Sequence, residues 1–173
     1  MRVVELFAGA GGMSLGLSQA GMTVQLALEY ERAMVRTYQR NMQRSIRLFG
    51  KGDHVHPYDL NAFPDIVESI VAVRPDIIVG GPPCQDFSSA GKRVEGARAK
   101  LTAYYAQLLC ITRPQWFILE NVKGALGSEQ YAAAKKLLKA AGYGLSENVL
   151  LASLYGVPQR RRRLILVGRL GEQ

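Results

Sequence analysis

The chain has 173 residues, 48% of them hydrophobic, and a net charge of +8 from 22 basic and 14 acidic side chains. That is the length of one domain, residues 1–173, able to bury a sizeable core. No apolar run nears the roughly 18 residues of a membrane span, the N-terminus lacks a signal-peptide pattern, and two cysteines, Cys84 and Cys110, cannot staple a disulfide framework, which favours a reducing, cytoplasmic setting.

Strands and helices alternate along the chain. Residues 3–7 form a strand pattern, a glycine loop follows, and a helix is expected over 13–20. A strand at 23–28 leads to a helix at 31–43. Residues 54–58 are a weaker strand, followed by a helix at 64–73 and a buried strand at 77–79. A basic loop spans 81–100. A helix at 101–112, a strand at 116–120 and a helix at 128–141 come next, the last ended by Gly142. Two strands, 146–152 and 163–168, close the chain. Such alternation means an α/β fold, a parallel-rich sheet with helices on both faces, in which ligands bind at the carboxyl ends of strands.

Four groups of residues carry candidate chemistry. Gly81-Pro82-Pro83-Cys84-Gln85 follows the 77–79 strand. Two prolines with locked φ fix the backbone beside the cysteine, as a nucleophile requires; a free cysteine is otherwise a small buried hydrophobe. Phe7-Ala8-Gly9-Ala10-Gly11-Gly12 lies between a strand and a helix, where glycines let the backbone approach a ligand or simply turn. Ser14 occupies the third glycine position of a dinucleotide fingerprint, against a nicotinamide cofactor. Glu29 ends the next strand, placed to accept from ribose hydroxyls or to favour a helix start, and Tyr30 offers a flat face for adenine. Asp59 is a candidate acceptor for an adenine amino group, or a loop acid.

Glu120-Asn121 ends the 116–119 strand, where a carboxylate can hold or protonate a ring nitrogen. Gly156-Val157-Pro158-Gln159 precedes Arg160, Arg161, Arg162 and Arg163. If extended, this stretch puts Gln159, Arg161 and Arg163 on one face and Arg160 and Arg162 on the other. With Lys92 and Arg93, the run favours an anionic partner such as nucleic acid. His54 and His56 lack the further ligands that zinc needs and are read as structural, so no metal is expected.

Taken together, these residues resemble the cytosine-5 DNA methyltransferase family, in the family's order from Glu5 to Gly168. The glycine loop is similar to its S-adenosylmethionine loop, Gly81-Pro82-Pro83-Cys84-Gln85-Asp86-Phe87-Ser88 to its nucleophile motif, Glu120-Asn121-Val122 to its acid motif, and Gln159 with the arginine run to its arginine motif. The resemblance implies a Rossmann-like, doubly wound sheet, mostly parallel with an antiparallel last strand. It implies Cys84, Glu120, Arg161 and Arg163 as catalytic residues. Phe7, Ala10, Gly11, Gly12, Glu29, Tyr30, Asp59, Leu60, Pro83 and Leu101 would bind S-adenosylmethionine. Gln85, Ser88, Lys92, Arg93, Arg160 and Arg162 would contact DNA, with the target cytosine flipped out of the duplex. The setting is that of a bacterial, archaeal or phage enzyme of restriction-modification type.

Leu154 departs from the family, which often has a polar residue there. The family's target-recognition region, its supporting segment and its closing helix are not among these residues. The expectation is therefore a split or truncated enzyme, active with a second polypeptide or self-associating. A non-catalytic relic and an RNA cytosine methyltransferase are the alternatives.

Overall fold

The computed structural model describes residues 1–49, 55–57, 63–83 and 100–172. It divides into two compact units, Met1–Gly80 and Gly81–Gln173. In the first, β1 (Arg2–Leu6), β2 (Thr23–Glu29), β3 (Val55–Pro57) and β4 (Ile77–Gly80) run parallel in the order β3-β2-β1-β4. β1 is the covered centre: Val3, Val4, Glu5 and Leu6 are all buried. A parallel strand covered on both faces needs an unbroken buried run rather than alternation, and Val3-Val4 beside Leu6 supplies it.

Around this sheet lie α1 (Gly12–Gln19), α2 (Arg32–Phe49) and α3 (Phe63–Val73). α2 extends beyond the expected 31–43. Its inward stripe is Val35, Tyr38 and Met42, all buried, at the three- and four-residue spacing of one helix face. α3 buries Ile66 and Ile70. It stops at Arg74, whose φ of 51° is left-handed and whose amide donates to the carbonyls of Ile70 and Val71. Pro75 then bars a further turn.

The second unit holds α4 (Lys100–Thr112), β5 (Trp116–Val122), a 3-10 turn over Lys123–Gly127, α5 (Glu129–Ala140), β6 (Tyr143–Leu151), a 3-10 turn over Ala152–Tyr155 and β7 (Arg162–Leu170). α4 stops as α3 does, with Arg113 at φ 46° followed by Pro114. α5 starts at Ser128, whose Oγ accepts from the Tyr131 amide at 3.2 Å, a side-chain N-cap. β7 lies between β5 and β6 and is antiparallel to both. Phe117 lies against Gly168 and meets the Tyr143 ring edge-on, centroids 5.1 Å apart.

Three expectations need correction. The first strand does not reach residue 7: Phe7 has left β1 and adopts a φ of 57°. The strand expected at 146–152 starts earlier, at Tyr143, directly after the Gly142 turn, and ends at Leu151. The arginine stretch is not extended throughout. Gly156 turns at φ 81°, the Gln159 amide donates to the Val157 carbonyl at 2.7 Å, and the Arg161 amide to the Gln159 carbonyl at 2.8 Å. Those tight turns break strand alternation, so only Arg162 and Arg163 belong to β7.

Candidate active site

In the first unit the glycine loop is held from beneath and behind. The Ala8 amide donates to Leu28 of β2 at 3.1 Å, and the Gly11 amide to Ala8 at 3.0 Å. Gly11 has φ 90°, and a Cβ there would stand 2.8 Å from Cε of Met42 and 3.1 Å from the Tyr38 ring. A side chain at this position would have to displace the Met42 methyl and crowd the Tyr38 ring, and the left-handed φ would strain it. Gly12 faces open space and begins α1, which no side chain caps. That leaves bare backbone amides at a helix start, the setting in which a charged or polar ligand is held without side chains.

Glu29 organises this corner. Its Oε2 accepts from the Gly9 amide at 2.7 Å and its Oε1 from the Glu31 amide at 2.8 Å. One carboxylate thus serves the glycine loop and the start of α2, and retains further acceptor capacity on both oxygens. The helix-start role and a ligand role are compatible. Asn41 of α2 donates to the Ala10 carbonyl at 2.7 Å. Tyr30 is 58% exposed, with its ring open to a ligand.

The sequence reading missed what lies under the loop. Glu5, 2% exposed and the penultimate residue of β1, receives a hydrogen bond from the Ser14 hydroxyl, and Ser14 Oγ lies 2.6 Å from the Tyr38 hydroxyl. Ser14 is thus the residue through which α1 satisfies a buried acid. An acidic residue inside a buried strand was the available signal, because such groups are buried only with partners.

In the second unit Glu120 ends the β5 core run. Its Oε1 is 2.8 Å from Nε of Arg163, with the two side chains 28% and 24% exposed. Its Oε2 faces Gly81, where a Cβ would stand 2.8 Å away. Arg163 Nη1 also donates to the Arg162 carbonyl at 2.8 Å. The neighbouring Asn121 is buried: its Oδ1 accepts from the Val122 amide at 2.8 Å and its Nδ2 reaches the Pro82 carbonyl at 3.4 Å. The end of β5 is therefore tied to the backbone two residues before Cys84.

The structure brings together Glu120, Arg163 and Gly81. It leaves Arg160, Arg161 and Arg162 exposed, so the side chain of Arg161 does not share the Glu120–Arg163 clamp. Pro83 and Leu101 are partly exposed. Asp59, Leu60, Cys84, Gln85, Ser88, Lys92 and Arg93 lie outside the described residues. The second cysteine, Cys110, sits on α4, where burial pushes its thiol pKa up against the opposing influence of Arg113. A raised pKa suits an inert thiol rather than a nucleophile. Among the described residues no cluster of metal-ligating side chains occurs and no helix is long and apolar enough to cross a membrane.

Solved structures define the class. A prophage-encoded DNA modification methyltransferase from E. coli superposes with a TM-score of 0.78 at 29% identity, covering 98% of this chain and 47% of that one. The S. pombe Dnmt2 methyltransferase gives 0.80 at 22% identity, over 100% and 50%. The fold is the Rossmann-like, doubly wound methyltransferase sheet, mostly parallel with β7 antiparallel. The family model for C-5 cytosine-specific DNA methylase matches residues 1–173, and the chain belongs to that family.

Similar relatives include the Type II methyltransferases M.HgiDI of Herpetosiphon aurantiacus, 44% identical over 97% of this chain and 52% of the relative, and M.HindV of Haemophilus influenzae, 40% identical over 100% and 54%. M.AquIA of Picosynechococcus sp. is 33% identical over 99% of this chain and 73% of its own length. The chain spans about half the length of M.HgiDI and M.HindV.

Proposed function

We propose that the protein transfers a methyl group from S-adenosylmethionine to carbon 5 of cytosine in DNA through a covalent adduct with Cys84. The observation that carries this reading is the Glu120 carboxylate, held between Arg163 and Gly81 at a strand end, in a chain whose family is that of cytosine C-5 methylases.

In this reading the Cys84 thiolate adds to carbon 6 of the ring while Glu120 delivers a proton to the ring nitrogen. The electron pair displaced by the thiolate makes carbon 5 nucleophilic. S-adenosylmethionine supplies the electrophilic methyl that carbon 5 accepts. A base then removes the carbon-5 proton, the ring nitrogen returns its proton to Glu120, and expulsion of the Cys84 thiolate restores the ring. Arg163 fixes the rotamer of Glu120 and offers its remaining N–H groups to the cytosine oxygen. Arg161, exposed and outside the clamp, serves the flipped base or the adjoining phosphate.

The glycine loop fits the cofactor: the Gly12 amide stands at an uncapped helix start, Glu29 has acceptor capacity left for ribose hydroxyls, and Tyr30 presents a ring. Ala10 and Phe7 complete this wall, while Asp59, Leu60, Pro83 and Leu101 keep the roles that the resemblance implies. Target recognition belongs to polypeptide outside these 173 residues, on the same chain or on a second subunit. Gln85, Ser88, Lys92, Arg93, Arg160 and Arg162 contact the DNA.

The test is tritiated methyl transfer to duplex DNA and to RNA by the assembly that contains this chain and its target-recognition polypeptide, with the product identified by mass spectrometry. Formation of 5-methylcytosine in DNA is expected, with transfer abolished and duplex binding retained in Cys84→Ser, since a hydroxyl is a far weaker nucleophile at neutral pH. Turnover by Cys84→Ser at the wild-type rate would overturn the mechanism.

A further inference from the structure

The solvent side of α2 carries basic charge that the glycine loop and the arginine run do not use. Its 18 residues, RAMVRTYQRNMQRSIRLF, contain Arg32, Arg36, Arg40, Arg44 and Arg47 and no acidic residue. The first four arginines recur every fourth residue, which places them about 6 Å apart along the helix axis. Arg32, Arg36 and Arg40 are exposed; by helix geometry Arg36 and Arg40 lie on the side away from the buried Val35, Tyr38 and Met42, and Arg32 lies beside that stripe. Among the described residues, the ion pairs are Arg2–Asp76, Lys135–Glu147, Arg163–Glu120 and Arg169–Glu172, none of them on this face. The closest acids in sequence stand before the helix: Glu29, occupied by two amides, and the exposed Glu31.

An arginine ladder without interleaved acids is unusual for a merely solvated helix. Such surfaces ordinarily mix signs, since like charges four residues apart repel. The ladder therefore costs helix stability unless an anion covers it. Two kinds of macromolecule supply anionic charge. A protein partner would be expected to bury an apolar or aromatic anchor, and the exposed residues flanking Arg32, Arg36 and Arg40 are Ala33, Met34, Thr37, Gln39 and Asn41, of which only Met34 is large and apolar. A nucleic-acid backbone needs no such anchor. It offers evenly spaced phosphates, which guanidinium groups engage bidentately.

We propose that the arginine face of α2 is a sequence-independent binding surface for the phosphate backbone of duplex DNA, additional to Arg160 and Arg162. It rests on the reading of DNA as the substrate. The surface would hold the enzyme on DNA irrespective of sequence, a term supplied by counterion release.

The experiment uses the purified chain and a duplex of mixed sequence, with affinity measured across a salt series. The wild type is compared with a triple variant, Arg32→Gln, Arg36→Gln and Arg40→Gln, with the corresponding triple lysine variant, and with the double variant Arg160→Gln, Arg162→Gln. Circular dichroism and S-adenosylmethionine affinity check the fold; glutamine is a good helix former. Three lost phosphate contacts should make the slope of log K against log salt shallower by about 2.7, at about 0.9 per contact. The lysine variant should keep the wild-type slope, because the effect follows charge.

A triple glutamine variant with unchanged slope, beside a double variant that has lost binding, overturns the α2 surface and leaves the DNA reading standing. A wild type without salt-dependent duplex binding overturns the α2 surface, and the methyl-transfer assay separately decides the DNA reading. Loss of binding to polyglutamate by the triple glutamine variant, with duplex binding unchanged, would make the ladder a protein-facing surface and overturn the proposal.

Discussion

Glu120 and Gly81 are fitted to one another: a Cβ on Gly81 would stand 2.8 Å from Oε2 of Glu120, closer than real Cβ atoms approach. The other oxygen, Oε1, is 2.8 Å from Nε of Arg163. The carboxylate thus has a cation on one side and bare backbone on the other. Glycine is needed at position 81 for the space it leaves and not for its backbone freedom, because its φ is not in the left-handed range.

Gly81→Ala should therefore separate stability from activity. The atom that must yield is the far end of a flexible side chain, so the melting temperature should change little. The carboxylate, however, is displaced from its clamp, and a misplacement of about 1 Å can cost about 100-fold in rate. The expected result is kcat lowered by about 10- to 100-fold with S-adenosylmethionine affinity unchanged, measured on the assembly that methylates. A wild-type kcat would show that Glu120 has freedom to spare.

Glu29→Ala should weaken S-adenosylmethionine binding and also loosen the fold. The same carboxylate accepts from the Gly9 and Glu31 amides, so its removal unpins the glycine loop and the start of α2 together. Hydrogen bonds to a charged group contribute about 1.5–3 kcal/mol each when lost, less where water can replace the acceptor. Urea unfolding should show a loss of about 1–3 kcal/mol, alongside reduced affinity in calorimetric titration. Unchanged stability would mean that water substitutes at both amides.

Much of this architecture was legible because local signals agreed with the fold. Ser128, the apolar spacing of α5 and Gly142 announce that helix from cap to stop, and the buried run in β1 announces a central parallel strand. Errors arose where a tertiary or turn-specific contact decides. Alternating faces in the arginine run held only if it were extended, yet Gly156 and Pro158 carry turn signals, and the chain folds back in tight steps before β7. Ser14 was read as a defect in a fingerprint because its partners, Glu5 and Tyr38, meet only in the folded chain. Gly81 gave no hint of its role, since that depends on which way the end of β5 faces.

Glu147 and Tyr131 make a pH-sensitive pair joining β6 to α5. Burial pushes the Glu147 pKa up, but the hydrogen bond from the Tyr131 hydroxyl and the Lys135 ammonium at 3.0 Å outweigh it and hold the carboxyl below its ordinary value. A carboxylate depressed in the folded state stabilises the protein above its unfolded pKa, about 4.3 for glutamate. That contribution is lost as pH falls through the folded value. Tyr131 is raised, first by burial and then by Glu147, so its neutral form is favoured and its contribution disappears only in strong alkali. Glu147→Gln should therefore destabilise the protein at pH 7 and flatten the stability profile below about pH 4.3. Thermal melts from pH 3 to 7 check this; parallel profiles for variant and wild type would remove Glu147 from the acid limb.

Arg163→Lys tests whether charge alone suffices beside Glu120. Arg163 uses two different nitrogens at once, Nε toward Glu120 and Nη1 toward the Arg162 carbonyl. Lysine keeps the charge but concentrates it on one nitrogen at the end of a flexible stem, and cannot reproduce this planar two-point hold. The Glu120 carboxylate would keep a cation nearby while losing its fixed orientation. Stability should change by less than about 1 kcal/mol, since the pair is partly exposed and such pairs contribute little. The methylation rate should fall by about 10- to 100-fold, and the affinity for S-adenosylmethionine, held by the glycine loop in the first unit, should stay the same. A rate equal to that of the wild type would show that Arg163 acts only as a charge, and the geometric argument for Glu120 would then rest on Gly81 alone.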